Sequence, residues 1–172
     1  MPTALTFSIR QVRLGLDISH VREILPCVKL VHPPEMPYIL RGFVNVEQEL
    51  IPVLRLEGLL QLDLEDSHWN PERNLGSRIL VANLDGLAVA WMVDEGVEML
   101  RYKVAETVKL PGNHILNNCA DHVIPRPPPE MSIVLLQAKK LLFESERVRV
   151  AQLLRREKQR LDMVGEEAIV PA

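Results

Sequence analysis

The stretch RILVANL (78–84), Asp85-Gly86, LAVAWMV (87–93) constrains the fold more than any other part of the chain. Two apolar runs enclose a dipeptide that tolerates positive φ at both positions, as a two-residue hairpin turn demands. The same grammar recurs elsewhere. Residues 5–9, LTFSI, put Leu5, Phe7 and Ile9 on one face, and residues 12–18, VRLGLDI, resume the alternation after a slip of phase at Arg10-Gln11. That pattern predicts strand, turn and strand. Residues 43–46 and 49–56 predict another hairpin, although its turn, Glu47-Gln48, lacks the residues such turns prefer. HVREIL predicts one helical turn, because Val21 precedes Ile24 and Leu25 by three and four. KLV at 29–31 predicts a short strand ended by Pro33-Pro34, and SIVLLQ at 132–137 predicts a final strand after IPRPPP. Residues 63–77 are polar and rich in turn formers, which predicts a long surface loop. Trp69 within it reads as a cap on a core edge or as a contact residue. Residues 97–110 fit neither period. Many short strands with tight turns and few helices predict a mainly β chain, a barrel or a sandwich.

The chain changes character after Gln137. Residues 138–164 contain no Gly or Pro and are rich in helix formers. Phe143, Val150, Leu154, Leu161 and Val164 fall on one stripe, which predicts an amphipathic helix. The stripe packs back on the β-domain or in part meets a partner. Residues 165–172 read as a disordered tail.

Charge and composition exclude several classes of function. The net charge is −3. The body up to Gln137 is acidic and the segment 138–163 is basic, so the body is ill suited to displacing counterions from nucleic acid. No apolar run approaches the roughly 18 residues of a membrane span. The N-terminus lacks the basic-then-apolar pattern of a secretory signal, so a cytoplasmic chain with Cys27 and Cys119 as free thiols is expected.

Reactive chemistry is hard to find. His114, Cys119, Asp121 and His122 form the nearest approach to a metal set, but no second compact Cys/His pair accompanies them. Cys119 with His122 lacks a third orienting group for nucleophilic work. Glu47 with Glu49 and Asp94 with Glu95 are acid pairs without a shared face. Eight isolated glycines form no phosphate loop. The residues point to a domain without catalytic residues, metal or cofactor, acting through its surfaces.

The order of segments resembles the CheW-like family of chemotaxis adaptor domains. LTFSI…VRLGLDISHVREI (5–24), PPEMPYILRGFVNVEQELIPVLRL (33–56), RILVANLDGLAVAWMVDEGVEML (78–100) and SIVLLQAKKLL (132–142) carry the resemblance. Pro34, Pro37, Gly42, Asn45, Pro52 and Leu56 keep the register of the central family pattern, and Asp94 matches its Val-Asp step. The resemblance implies two packed SH3-like five-stranded β-barrels over residues 1–137, divided near 63–77, with a C-terminal helix. It implies an adaptor joining chemoreceptor tips to the regulatory domain of a CheA-like histidine kinase, in the cytoplasm at a membrane-associated array. Val21, Ile24, Asn45, Val46, Glu47 and Gln48 would line the receptor-facing groove. The alternative is a peripheral module whose basic helix docks on an anionic membrane or acidic partner, without inserting into the bilayer.

Three departures stand out. The family's Asn-Leu-Arg-Gly is Asn45-Val46-Glu47-Gln48 here. Gln48 in place of glycine predicts a changed turn or a left-handed Gln48, at a cost of about 1 kcal/mol. Glu47 in place of arginine predicts that the standard receptor tip is refused, or that the receptor carries a compensating basic residue. Gly96 stands at a usually apolar position, and a Pro-rich run with Gln137 precedes the extra helix.

Overall fold

The computed structural model describes residues 1–62, 69–110 and 115–169. Two sheets and one long helix make up the fold. The chain begins in the first sheet with β1 (Thr3–Ile9) and β2 (Val12–Asp17). It crosses to the second for β3 (Val21–Pro26), β4 (Leu40–Val46), β5 (Glu49–Leu54), β6 (Arg78–Leu84) and β7 (Leu87–Val93). It then returns to the first with β8 (Glu98–Arg101), β9 (Val108–Lys109), β10 (Ala120–Ile124) and β11 (Ile133–Leu136). A single turn, α1 (Leu56–Leu59), follows β5, and α2 (Glu144–Ile169) ends the described chain.

The strand orders are β8-β1-β2-β11-β10-β9 and β3-β6-β7-β5-β4. The larger sheet therefore carries a sixth strand, the two-residue β9. A division near 63–77 does not hold, because β3, β4 and β5 before it share a sheet with β6 and β7 after it. Of that expected loop, residues 63–68 lie outside the described residues, and Pro71–Arg73 forms a single 3-10 turn.

Side-chain parity explains why the central strands read as unbroken apolar runs. Ile79, Val81, Ala90 and Met92 join Val44, Val46, Ile51 and Val53, with Leu30 from the β3–β4 connection, in a small core on one face of the second sheet. A sheet whose one face packs on itself must curl, so this half is barrel-like. The opposite parity of the same strands, Leu80, Ala82, Leu84, Val89, Trp91 and Val93, meets Leu5, Phe7, Ile9, Leu14 and Leu16 of the first sheet. Phe7 and Trp91 face each other across this junction with ring centroids 6.1 Å apart. Burying such a side chain contributes about 1.5–3 kcal/mol, so the inter-sheet core is a principal source of cohesion.

The predicted turns are present, and all three have positive φ at both central residues: Arg10 and Gln11, Glu47 and Gln48, Asp85 and Gly86. Ile9 pairs with Val12, Val46 with Glu49 and Leu84 with Leu87, so each is a two-residue hairpin. Gln48 is left-handed, at φ 68°, as expected from the loss of glycine.

HVREIL is a strand and not a helical turn; only Ile18–His20, just before it, forms a 3-10 turn. KLV makes a single bridge, Val31 to Phe43, in place of a strand. That bridge explains Gly42, since a Cβ there would meet the Val31 carbonyl oxygen at 2.8 Å. Gly96 has φ 97° in the bend before β8, a conformation that favours glycine over the family's apolar residue.

A buried ion pair holds the approach to this hairpin. The Arg41 guanidinium donates to Glu57, and both side chains are buried. Arg41 also lies 3.7 Å from Glu72 and stacks over the Trp69 ring. Trp69 in turn donates from Nε1 to Asp94 at 2.6 Å, while the Asp94 N–H donates to the Ser8 carbonyl in the other sheet. Trp69 thus caps a core edge, and Asp94 links the sheets.

The helix begins at Glu144, later than expected. Leu141 and Leu142 are both buried, and the segment before them, Ala138–Lys140, forms a 3-10 turn in place of α-helix. The Phe143 N–H donates to the Glu146 carboxylate at 2.7 Å, a cap that sets the start. Val150 is fully buried, with Leu153, Leu154 and Leu161 packed at the edge of the main core, whereas Phe143 and Val164 are exposed. Helix continues to Ile169, into the stretch expected as a tail, and residues 170–172 lie outside the described residues.

Candidate partner-binding groove

β3 is an edge strand, paired with β6 alone among the described strands. Its register shifts between Val21 and Glu23, which oppose Ala82 and Val81. The bulge resets the alternation, so Val21 and Ile24, three apart, both lean on the main core while Leu25 turns to the small one. Val21 and Ile24 are half-buried, so each combines packing with an accessible flank.

Between the sheets lies an open groove of about 520 Å³, lined by Leu5, Ile24, Arg78 and residues Glu95 to Met99. β3 and β6 form one wall; β1 and β8 form the other. Met99 is 71% exposed on the rim. Sequence reasoning missed β8, because its four residues are too few to display a period. A second open cleft of about 440 Å³ lies on the far side of Glu98 and Met99. There the Arg13 guanidinium is engaged by Thr6 at 2.7 Å, the Gly96 carbonyl at 3.0 Å and Glu98 at 3.6 Å.

Of the six residues expected at the receptor-facing surface, the structure places Ile24 in the groove. Asn45, Glu47 and Gln48 are exposed at the tip of the β4–β5 hairpin, while Val46 is buried in the small core. Arg22, which sequence reasoning passed over, connects the two regions. Its guanidinium lies 2.8 Å from Glu49 and 3.5 Å from Glu23. The bond to Glu49 raises the Arg22 pKa, and the charges of Glu49, Glu23 and Glu47 add to the effect. Glu47 therefore lies within electrostatic reach of β3. Hairpin tip and edge strand form one charged surface beside the groove, with three acids around one arginine.

The would-be metal set does not assemble among the described residues, where no group of three His, Cys or carboxylate side chains converges. Cys119 is buried and its thiol donates to the Lys140 carbonyl at 3.1 Å. Burial pushes that thiol up to about 11. His122 sits on β10 with Nδ1 2.8 Å from its neighbour Asp121, and His114 lies outside the described residues.

The model of the CheW-like domain matches residues 3–124, well over half the chain. This chain belongs to the CheW-like domain family. The match supports an adaptor or scaffold role. The fold of this CheW-like domain is also that of the scaffolding protein TtCheW from Thermoanaerobacter tengcongensis, with a TM-score of 0.68 and 21% identity over 83% of this chain and 89% of that one. No curated protein sequence matches it. No helix among the described residues is long and apolar enough to cross a membrane. α2 lies wholly beyond the matched span.

Proposed function

We propose that this CheW-like domain is a non-enzymatic adaptor that couples a chemoreceptor, or another sensory input, to a CheA-type histidine kinase at a membrane-associated array in the cytoplasm. The observation that carries the reading is the groove between the sheets, where half-buried Ile24 faces Val97 and Met99 across an open trough. Half-exposed aliphatic side chains flanked by charge suit an amphipathic helix, whose apolar face fills the trough while its polar flanks meet the rim. The receptor's helical tip is the occupant assigned here, and the kinase's regulatory domain takes a separate surface.

Ile24→Arg tests this directly. The side chain is partly exposed on an edge strand, so a long cation there can reach solvent and the fold should survive. Expected is loss of receptor binding by at least tenfold with kinase binding retained, read by co-purification with the organism's own receptors and CheA-like kinases. Equal loss of both, or of neither, overturns the assignment of the groove.

A further inference from the structure

We propose that the open cleft on the far side of β8 from the groove is a binding site for a small organic carboxylate with an apolar body. The cleft lies on the face of the first sheet turned away from the main core. Ala4, Thr6, Arg13, Glu98 and Leu100 share that face, because Ala4 pairs with Leu100, Thr6 with Glu98 and Ser8 with Arg13. The second sheet packs its own curl with valines, isoleucines and Met92. On β1 the first sheet sets only Ala4 and Thr6 there, and these short side chains leave room for the cleft of about 440 Å³. Small-molecule pockets run from about 300 to 1,000 Å³, and the mouth of a barrel is a frequent place for one.

Charge decides what the cleft can hold. The Arg13 side chain is only 19% exposed, and its guanidinium donates to Thr6 Oγ1 at 2.7 Å, the Gly96 carbonyl at 3.0 Å and Ser8 Oγ at 3.3 Å. All three acceptors are neutral. The carboxylate beside it, Glu98, stands 3.6 Å away with 76% of its side chain exposed. A largely buried cation is thus braced in position without a buried countercharge, which a ligand carboxylate supplies. Arg126 lines the same cleft from the β10–β11 connection. It is half-buried, and its guanidinium has no hydrogen-bond or ion-pair partner among the described residues. The acids are placed differently: Glu98 and Glu130 are both exposed at the rim. Cations within and carboxylates in water make the interior positive, although the four charges cancel.

The remaining lining is apolar. Ile133 is buried and Leu100 half-buried, while Met99 and Met131 stand exposed at the mouth, where flexible thioethers adapt to a ligand's shape. A bare inorganic anion leaves this apolar surface wet, and a hydrocarbon alone leaves both arginines uncompensated. An amphipathic carboxylate satisfies both. Ile24 and the groove lie across β8, so the site does not rest on the receptor assignment.

The test is a titration of the ¹⁵N-labelled full chain with hexanoate, hexylammonium and acetate, read from amide chemical shifts. Hexanoate should saturate, with shifts confined to Thr6, Arg13, Glu98 to Leu100 and their neighbours on this face, and should bind at least tenfold tighter than either other probe. R126E should weaken hexanoate binding at least tenfold with an unchanged melting curve, since Arg126 has no side-chain partner to lose. R13Q should abolish binding, but it also removes the brace on Gly96, so R126E is the deciding variant. Equal affinity for hexanoate and hexylammonium, no gain over acetate, shifts centred on the groove in place of the cleft, or undiminished hexanoate binding by R126E each overturns the proposal.

Discussion

Arg22 of β3 donates to Glu49, the first residue of β5, across 2.8 Å, and so joins the edge strand to the tip of the β4–β5 hairpin. With Glu23 and Glu47 nearby, this corner is net negative. An acidic corner favours a partner that presents lysine or arginine and repels one that presents carboxylates.

Glu47→Arg should therefore strengthen binding to a chemoreceptor tip that is acidic at this contact and weaken binding to a basic one. Glu47 is exposed, so the thermal midpoint should not change. Surface plasmon resonance against both kinds of tip reads the shift; no gain for the acidic tip counts against an electrostatic role for position 47.

The hairpin tip carries a conformational cost. Glu47 and Gln48 both sit at positive φ, where Asn and Gly are easier. Replacing the pair with Asn-Gly should raise stability by about 1–2 kcal/mol in urea denaturation. The same replacement at Arg10-Gln11 should help less, because the Arg10 guanidinium donates to the Leu62 carbonyl at 2.6 Å and that bond would be lost.

Breaking the Arg41–Glu57 pair from one side should be severe. Arg41→Ala leaves a buried carboxylate uncompensated, a loss of about 3–5 kcal/mol. Arg41→Met with Glu57→Leu removes both charges and should cost clearly less than the single change. Chemical denaturation of the two variants gives the comparison, and equal losses would assign the effect to packing around Trp69.

Thiol chemistry should separate the two cysteines. At pH 8 Cys27, half-buried, should react with Ellman's reagent in the native protein, whereas Cys119 should react only on unfolding. The thiol of Cys119 loses its proton more readily in the unfolded chain, whose ordinary value is 9.0, than in the folded one at about 11. Its contribution to stability is therefore complete below about pH 9 and declines as pH rises towards 11. Cys119→Ser should show no corresponding decline.

How much of this was legible in the sequence depended on where period and geometry agree. β1, β2, β6 and β7 keep strict alternation or near-continuous apolar runs, and their hairpins were readable, as was Gln48's left-handed backbone. β3 was misread because its bulge converts a period of two into a spacing of three, which imitates a helix. β10 was hidden by the same device, a register shift between Ala120 and His122, and by polar residues that suggested a metal set. Val46 belongs to the small core, which strand parity implies once the hairpin register is known. Arg22 was overlooked because its ion pair with Glu49 depends on the curl of the sheet, which brings β3 near the β4–β5 tip and leaves no mark in local sequence.

The route of the chain has a consequence for how the protein is made. β2 lies beside β11 in parallel, Leu14 opposite Val134, whereas every neighbour of the five-stranded sheet has been synthesised by Val93. On the ribosome the opening hairpin must remain without its closing neighbour while the second-begun half is finished first. Only the second half, residues 21–93, is one continuous stretch of chain, and a chain truncated before Ile133 strands its own beginning.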